Sequence, residues 1–141
     1  MRPIVVLAAA AALALAAPAL AASQHFSGKL SGAQEIPPNA SKGAGQANVT
    51  LDPVKHTVSW TISYSGLSGP ATMAHFHGPA PAGKSAGVEV PITGTMASPL
   101  KGEATVTDAQ MKDLEAGLWY VNVHTAAHPG GEIRAQLARA R

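Results

Sequence analysis

From about residue 25 onward, short runs of alternating apolar and polar residues are separated by clusters of glycine, proline, serine and asparagine. That is the pattern of an all-β sandwich or barrel. It is clearest in Thr57 to Tyr64, where Val58, Trp60, Ile62 and Tyr64 share one face and Thr57, Ser59, Thr61 and Ser63 the other. Successive strand side chains point to opposite faces, so the apolar side is predicted to be core. Similar runs predict strands at His25 to Leu30, Gln46 to Leu51, Thr72 to His77, Val88 to Ile92, Glu103 to Val106, Leu118 to His124 and Glu132 to Leu137. The expected fold is an antiparallel, Greek-key-like β-sandwich or barrel of about eight strands with one short helix. In the last run Ile133, Ala135 and Leu137 alternate with Glu132, Arg134 and Gln136, which assigns Glu132 and Arg134 to the polar side.

The helix is predicted at Asp108 to Ala116. Thr107 with Gln110 three residues on is a capping-box signature, Met111 and Leu114 supply an apolar stripe, and Gly117 is placed to end the helix. The helix should cover an open end or edge of the sheets. Pro37 to Gly43 and Gly78 to Lys84 read as loops, since proline lacks an amide proton and glycine accepts positive φ. The chain shows no internal repeat and no heptads.

Residues 1–21 read as an export signal. Met1-Arg2-Pro3 precede an apolar stretch from Ile4 to Leu20, closed by Ala19-Leu20-Ala21 in the small-x-small pattern of a cleavage site. The run is nearly long enough to span a bilayer, so an uncleaved anchor is the alternative. Its alanine richness, Pro18 and its ending favour removal. The expected product is one β domain, residues 22–141, with a periplasmic or extracellular location and no membrane association after cleavage.

With no cysteine in the chain, disulfides, thiolate metal sites and cysteine nucleophiles are excluded. Any metal must be held by nitrogen, oxygen or thioether. The formal charge is +2, and the lysines are scattered singly. A nucleic-acid binder would show a concentrated basic face, so that class is set aside.

Chemistry concentrates in Ala74-His75-Phe76-His77-Gly78 and Asn122-Val123-His124-Thr125, with His128 and Glu132 downstream. If Phe76, Val121 and Val123 enter the core, His75, His77 and His124 gather outside it. A His-x-His pair with a histidine from a neighbouring strand is a candidate copper or zinc site, since imidazole suits both metals. His128, in a turn, is the candidate fourth ligand. Met73 shares the parity of His75 and offers a thioether, which would favour Cu(I), against a packing role at a strand start. The alternative for the histidines is hydrogen bonding that fixes the Gly78 loop. Glu132 and Arg134 are candidates for an ion pair, with Glu132 orienting a histidine. Glu35, before Pro37-Pro38, is a candidate buried partner of Arg134. His25 and His56 are expected at the surface.

Hydrolytic chemistry has poor support. There is no Gly-x-Ser-x-Gly elbow, no P-loop and no Gly-x-Gly-x-x-Gly after a strand. Ser68 lacks an evident orienting partner, and the only close carboxylates, Asp113 and Glu115, fall on a helix. These features argue against an enzyme.

Leu30-Ser31-Gly32-Ala33-Gln34-Glu35-Ile36-Pro37-Pro38, Ala74 to Gly78, Leu114-Glu115-Ala116-Gly117, Tyr120 to Thr125 and Pro129-Gly130-Gly131-Glu132-Ile133-Arg134 occur in that order. This set, spanning about Phe26 to Leu137, resembles the CHRD domain, named after its repeats in chordin and found singly in many exported bacterial proteins. Ala135 stands where a glycine commonly follows the arginine. In chordin-like proteins the domain belongs to a secreted antagonist of growth factors, a role that does not transfer to a single copy. The resemblance implies an exported binding or structural module. The histidine pattern is also similar to the copper ligands of Cu,Zn superoxide dismutases, a local analogy.

Three expectations follow: a module with a copper or zinc site, a dismutase-like copper redox enzyme, or a metal-free module presenting the Pro37 and post-His77 loops to a protein partner. Imidazoles within roughly 3 to 5 Å of one another favour the first, given metal–ligand distances near 2 Å.

Overall fold

The computed structural model describes residues 19–141. The expected export signal lies outside the described residues except for Ala19 to Ala21, which precede the first strand without regular structure. No helix among the described residues is long and apolar enough to cross a membrane.

The elements run β1 (Gln24–Ser31), a short 3-10 turn (Gly32–Gln34), β2 (Ala44–Asp52), β3 (Thr57–Ser65), β4 (Ala71–His77), β5 (Val88–Ile92), β6 (Leu100–Thr105), α1 (Asp108–Glu115), β7 (Tyr120–Thr125), β8 (Ile133–Gln136) and β9 (Ala138–Arg139). Eight strands form one sheet in the order β5-β4-β7-β8-β1-β2-β3-β6, and β9 pairs with β1. Every pairing is antiparallel. The end strands β5 and β6 approach each other, so the sheet curls into a nearly closed barrel and resolves the sandwich-or-barrel alternative. Near-closure leaves little free strand edge.

The alternation in β3 is realised: Val58, Trp60 and Ile62 are buried, whereas Ser63 is exposed. Phe26, Leu30, Val49, Leu51, Phe76, Val121, Val123 and Ile133 complete this interior from five other strands. Phe76 lies between two indoles, with ring centroids 5.2 Å from Trp60 and 5.8 Å from Trp119. That aromatic anchoring fixes the parity of β4 and therefore turns its histidines outward.

Helix α1 joins β6 to β7. Thr107 Oγ1 accepts from the Gln110 N–H at 3.2 Å and Gln110 Oε1 accepts from the Thr107 N–H at 2.9 Å, completing the capping box. Leu114 is buried, and Gly117 takes φ +75° to end the helix. The expected last strand is realised as β8 along β7, and beyond Leu137 the chain adds a short unexpected strand, β9, against β1.

Candidate metal centre

β4 and β7 are adjacent and antiparallel, pairing Met73 with His124, His75 with Asn122 and His77 with Tyr120. Residues directly opposite in a ladder project from the same face, so these six share the outside of the barrel. Ala74, Phe76, Val121 and Val123 fill the inside. His75 Nδ1 lies 3.2 Å from His124 Nε2. His75, His77 and His124 each offer a ring nitrogen, and these nitrogens all lie within 4.8 Å of one another. Two nitrogens bound to one tetrahedral ion at 2.0–2.1 Å would stand about 3.3 Å apart. The His75–His124 pair is already at that separation, and a ring nitrogen of His77 lies within 4.8 Å of both.

The surroundings orient two of the rings. His124 Nδ1 lies 2.8 Å from the Pro129 carbonyl oxygen. Only a protonated Nδ1 makes that bond, which leaves Nε2 with its lone pair directed at His75. His77 Nδ1 lies 3.1 Å from the Ala86 carbonyl oxygen and its Nε2 lies 3.1 Å from Asn122 Oδ1, two acceptors of which a neutral ring can satisfy one. The His77 ring also stacks on Tyr120, 4.8 Å between centroids and 2° from parallel, and the Arg134 guanidinium covers that tyrosine at 3.5 Å. Arg134 Nη2 donates in turn to the Lys84 carbonyl at 2.5 Å. The loop after His77 is thereby pinned over the site at Lys84 and Ala86.

Burial lowers the pKa of His75 below the ordinary histidine value, and the proximity of His124 and His77 acts the same way. Burial lowers that of His77 as well, outweighing the hydrogen bonds to Ala86 and Asn122. A lowered pKa favours neutral imidazole, the form that ligates.

The remaining candidates fall elsewhere. His128 is not part of the three-histidine group; its Nε2 faces Glu132 Oε1 at 3.7 Å. Glu132 forms neither the expected pair with Arg134 nor a bond to the three histidines. It is wholly buried and accepts from the Ser68 N–H at 2.9 Å, Thr125 Oγ1 at 3.0 Å, Ser41 Oγ at 3.1 Å and the Ser68 hydroxyl. The alternation seen in β8 fails at Glu132 because the strand begins only at Ile133, after Gly131 at φ +126°. Burial raises the Glu132 pKa, but the hydrogen bonds from Ser68, Thr125 and Ser41 prevail and hold it below the usual carboxylate value. Ser68 is thus committed to a structural carboxylate. Met73 stays outward and exposed, and His25 and His56 are apart from the group, bonded to Thr50 and paired with Asp108.

Glu35 is buried near Arg134, as expected. Burial raises its carboxyl to about 7, outweighing the attraction of Arg134 and the nearby Asn122 amide and Ile36 N–H. Its Oε1 receives no well-formed hydrogen bond. Sequence reasoning missed Asn122 and Tyr120 as neighbours of His77, although their parity with His124 was the available signal.

An eight-stranded antiparallel barrel that carries a histidine group on its outer face defines the class. The CHRD domain family model matches residues 26–137, and the chain belongs to that family. No curated protein and no solved structure matches it. Membership supports a binding or structural module in general terms.

Proposed function

We propose that this chain is an exported CHRD-domain module that binds a copper or zinc ion through His75, His77 and His124. The supporting observation is the 3.2 Å approach of His75 Nδ1 to His124 Nε2 within a group spanning 4.8 Å. Imidazole suits both ions, and affinity order favours Cu(II) where supply permits. Pro129, as a fixed carbonyl acceptor, holds His124 in the tautomer whose Nε2 is free to ligate. Export rests on the Met1 to Ala21 pattern, and location is periplasmic or extracellular.

The test is calorimetric titration of the purified protein with Cu(II) and Zn(II) at neutral pH, beside a His75→Ala/His77→Ala/His124→Ala variant shown to fold by circular dichroism. Stoichiometric binding lost in the folded variant is the expected result. Equal, weak binding by both proteins would refute the site and turn attention to a protein partner at the Pro37 loop, where Ile36 is exposed. A dismutase assay on the copper-loaded form separates carrier from redox enzyme.

A further inference from the structure

Met73 is 48 % exposed, although it lies within a strand, on a face whose other central members are buried or half-buried. It is the direct cross-strand partner of His124 and precedes His75 by two residues on the same face. Opposed Cβ atoms in an antiparallel pair stand about 4.5–5.5 Å apart, and residues two apart along a strand about 7 Å. The thioether therefore leaves the sheet beside both members of the close pair, His75 and His124, on a side chain with three rotatable bonds. It does not pack into the core, so burial of apolar surface does not account for it.

We propose that Met73 is a thioether ligand that joins His75 and His124 to hold Cu(I), making this centre competent for copper in its reduced state. Thioether sulfur is a soft donor that selects Cu(I), whereas it adds little for Zn(II), which takes thiolate, imidazole or carboxylate. This assignment rests on the metal-site reading above and extends it to a metal oxidation state and a fourth residue.

The test compares wild type with Met73→Leu, a change close in volume at an exposed position and therefore compatible with folding. Cu(I), supplied anaerobically, is competed against a chromogenic Cu(I) chelator, and Zn(II) and Cu(II) affinities are measured in parallel. Cu(I) affinity should fall by about ten-fold or more while Zn(II) and Cu(II) affinities change by less than about two-fold. The methionine methyl resonance that is missing from Met73→Leu should shift in wild type on addition of Cu(I). Unchanged Cu(I) affinity, an unmoved methyl resonance, or equal loss of all three metals would each overturn the assignment. Wild type that binds Zn(II) or Cu(II) but not Cu(I) would overturn it while leaving the metal-site reading intact; binding of no metal would remove both.

Discussion

His75 and His124 are not register partners, yet their ring nitrogens lie 3.2 Å apart across the diagonal of the β4–β7 ladder. His75 is opposite Asn122 and His124 is opposite Met73. The contact depends on the rings turning toward each other, and the Pro129 carbonyl bond to His124 Nδ1 is what turns one of them.

Metal binding should survive mild acidification. The pKa values of His75 and His77 lie below the ordinary 6.5, so protons compete with metal only at lower pH. Zinc retention is expected at pH 6.5, with release as the pH falls further, measured by metal analysis after equilibrium dialysis. Release centred above pH 6.5 would contradict the depressed values.

Glu35→Gln should stabilise the fold at pH 8 more than at pH 5. The folded-state pKa of Glu35, about 7, exceeds the ordinary 4.5, so folding favours the protonated carboxyl. Its contribution is fully present below pH 4.5 and is lost as pH rises through about 7. Glutamine keeps the shape without the charge, and urea denaturation should show a gain of about 1–3 kcal/mol at pH 8. A loss at that pH would mean that attraction to Arg134 outweighs burial.

Glu132→Ala should destabilise the domain by about 2–4 kcal/mol, since it strands hydroxyl and amide donors of Ser68, Thr125 and Ser41. Its carboxylate pKa is lowered, so its contribution is present above pH 4.5 and fades as pH falls below that value. The difference between wild type and variant in thermal melts should therefore narrow toward pH 3.

Gly131→Ala should impair both stability and metal affinity. A Cβ there would stand 2.5 Å from Glu35 Oε1 and 2.7 Å from Asn122 Nδ2, and the backbone holds φ +126°. A cost of about 2–4 kcal/mol is expected from the backbone and steric terms together. Displaced Asn122 would also disturb His77, detectable as weaker zinc binding in the folded fraction. An alanine variant as stable as wild type would show that the turn relaxes freely.

Most of the architecture was legible because it follows period-two alternation, which Val58, Trp60 and Ile62 display with few exceptions. The capping box at Thr107 and Gln110 likewise depends only on neighbours in the chain. The convergence of His75, His77 and His124 followed from parity once β4 and β7 proved to be adjacent, and adjacency is a tertiary fact that alternation does not contain. Glu132 was misassigned because a positive-φ glycine interrupts the alternation just before β8. The extra strand β9 after Leu137 follows from pairing with β1, a partner more than a hundred residues away, so no local pattern announces it.

Phe76 between the indoles and the histidines on either side of it belong to one continuous strand. A slip of β4 by a single residue would drive imidazoles into the barrel and place Phe76 in water. Core formation and the gathering of His75, His77 and His124 therefore demand the same alignment. If the proposed ion binds there, its uptake would report that β4 has paired in the native alignment.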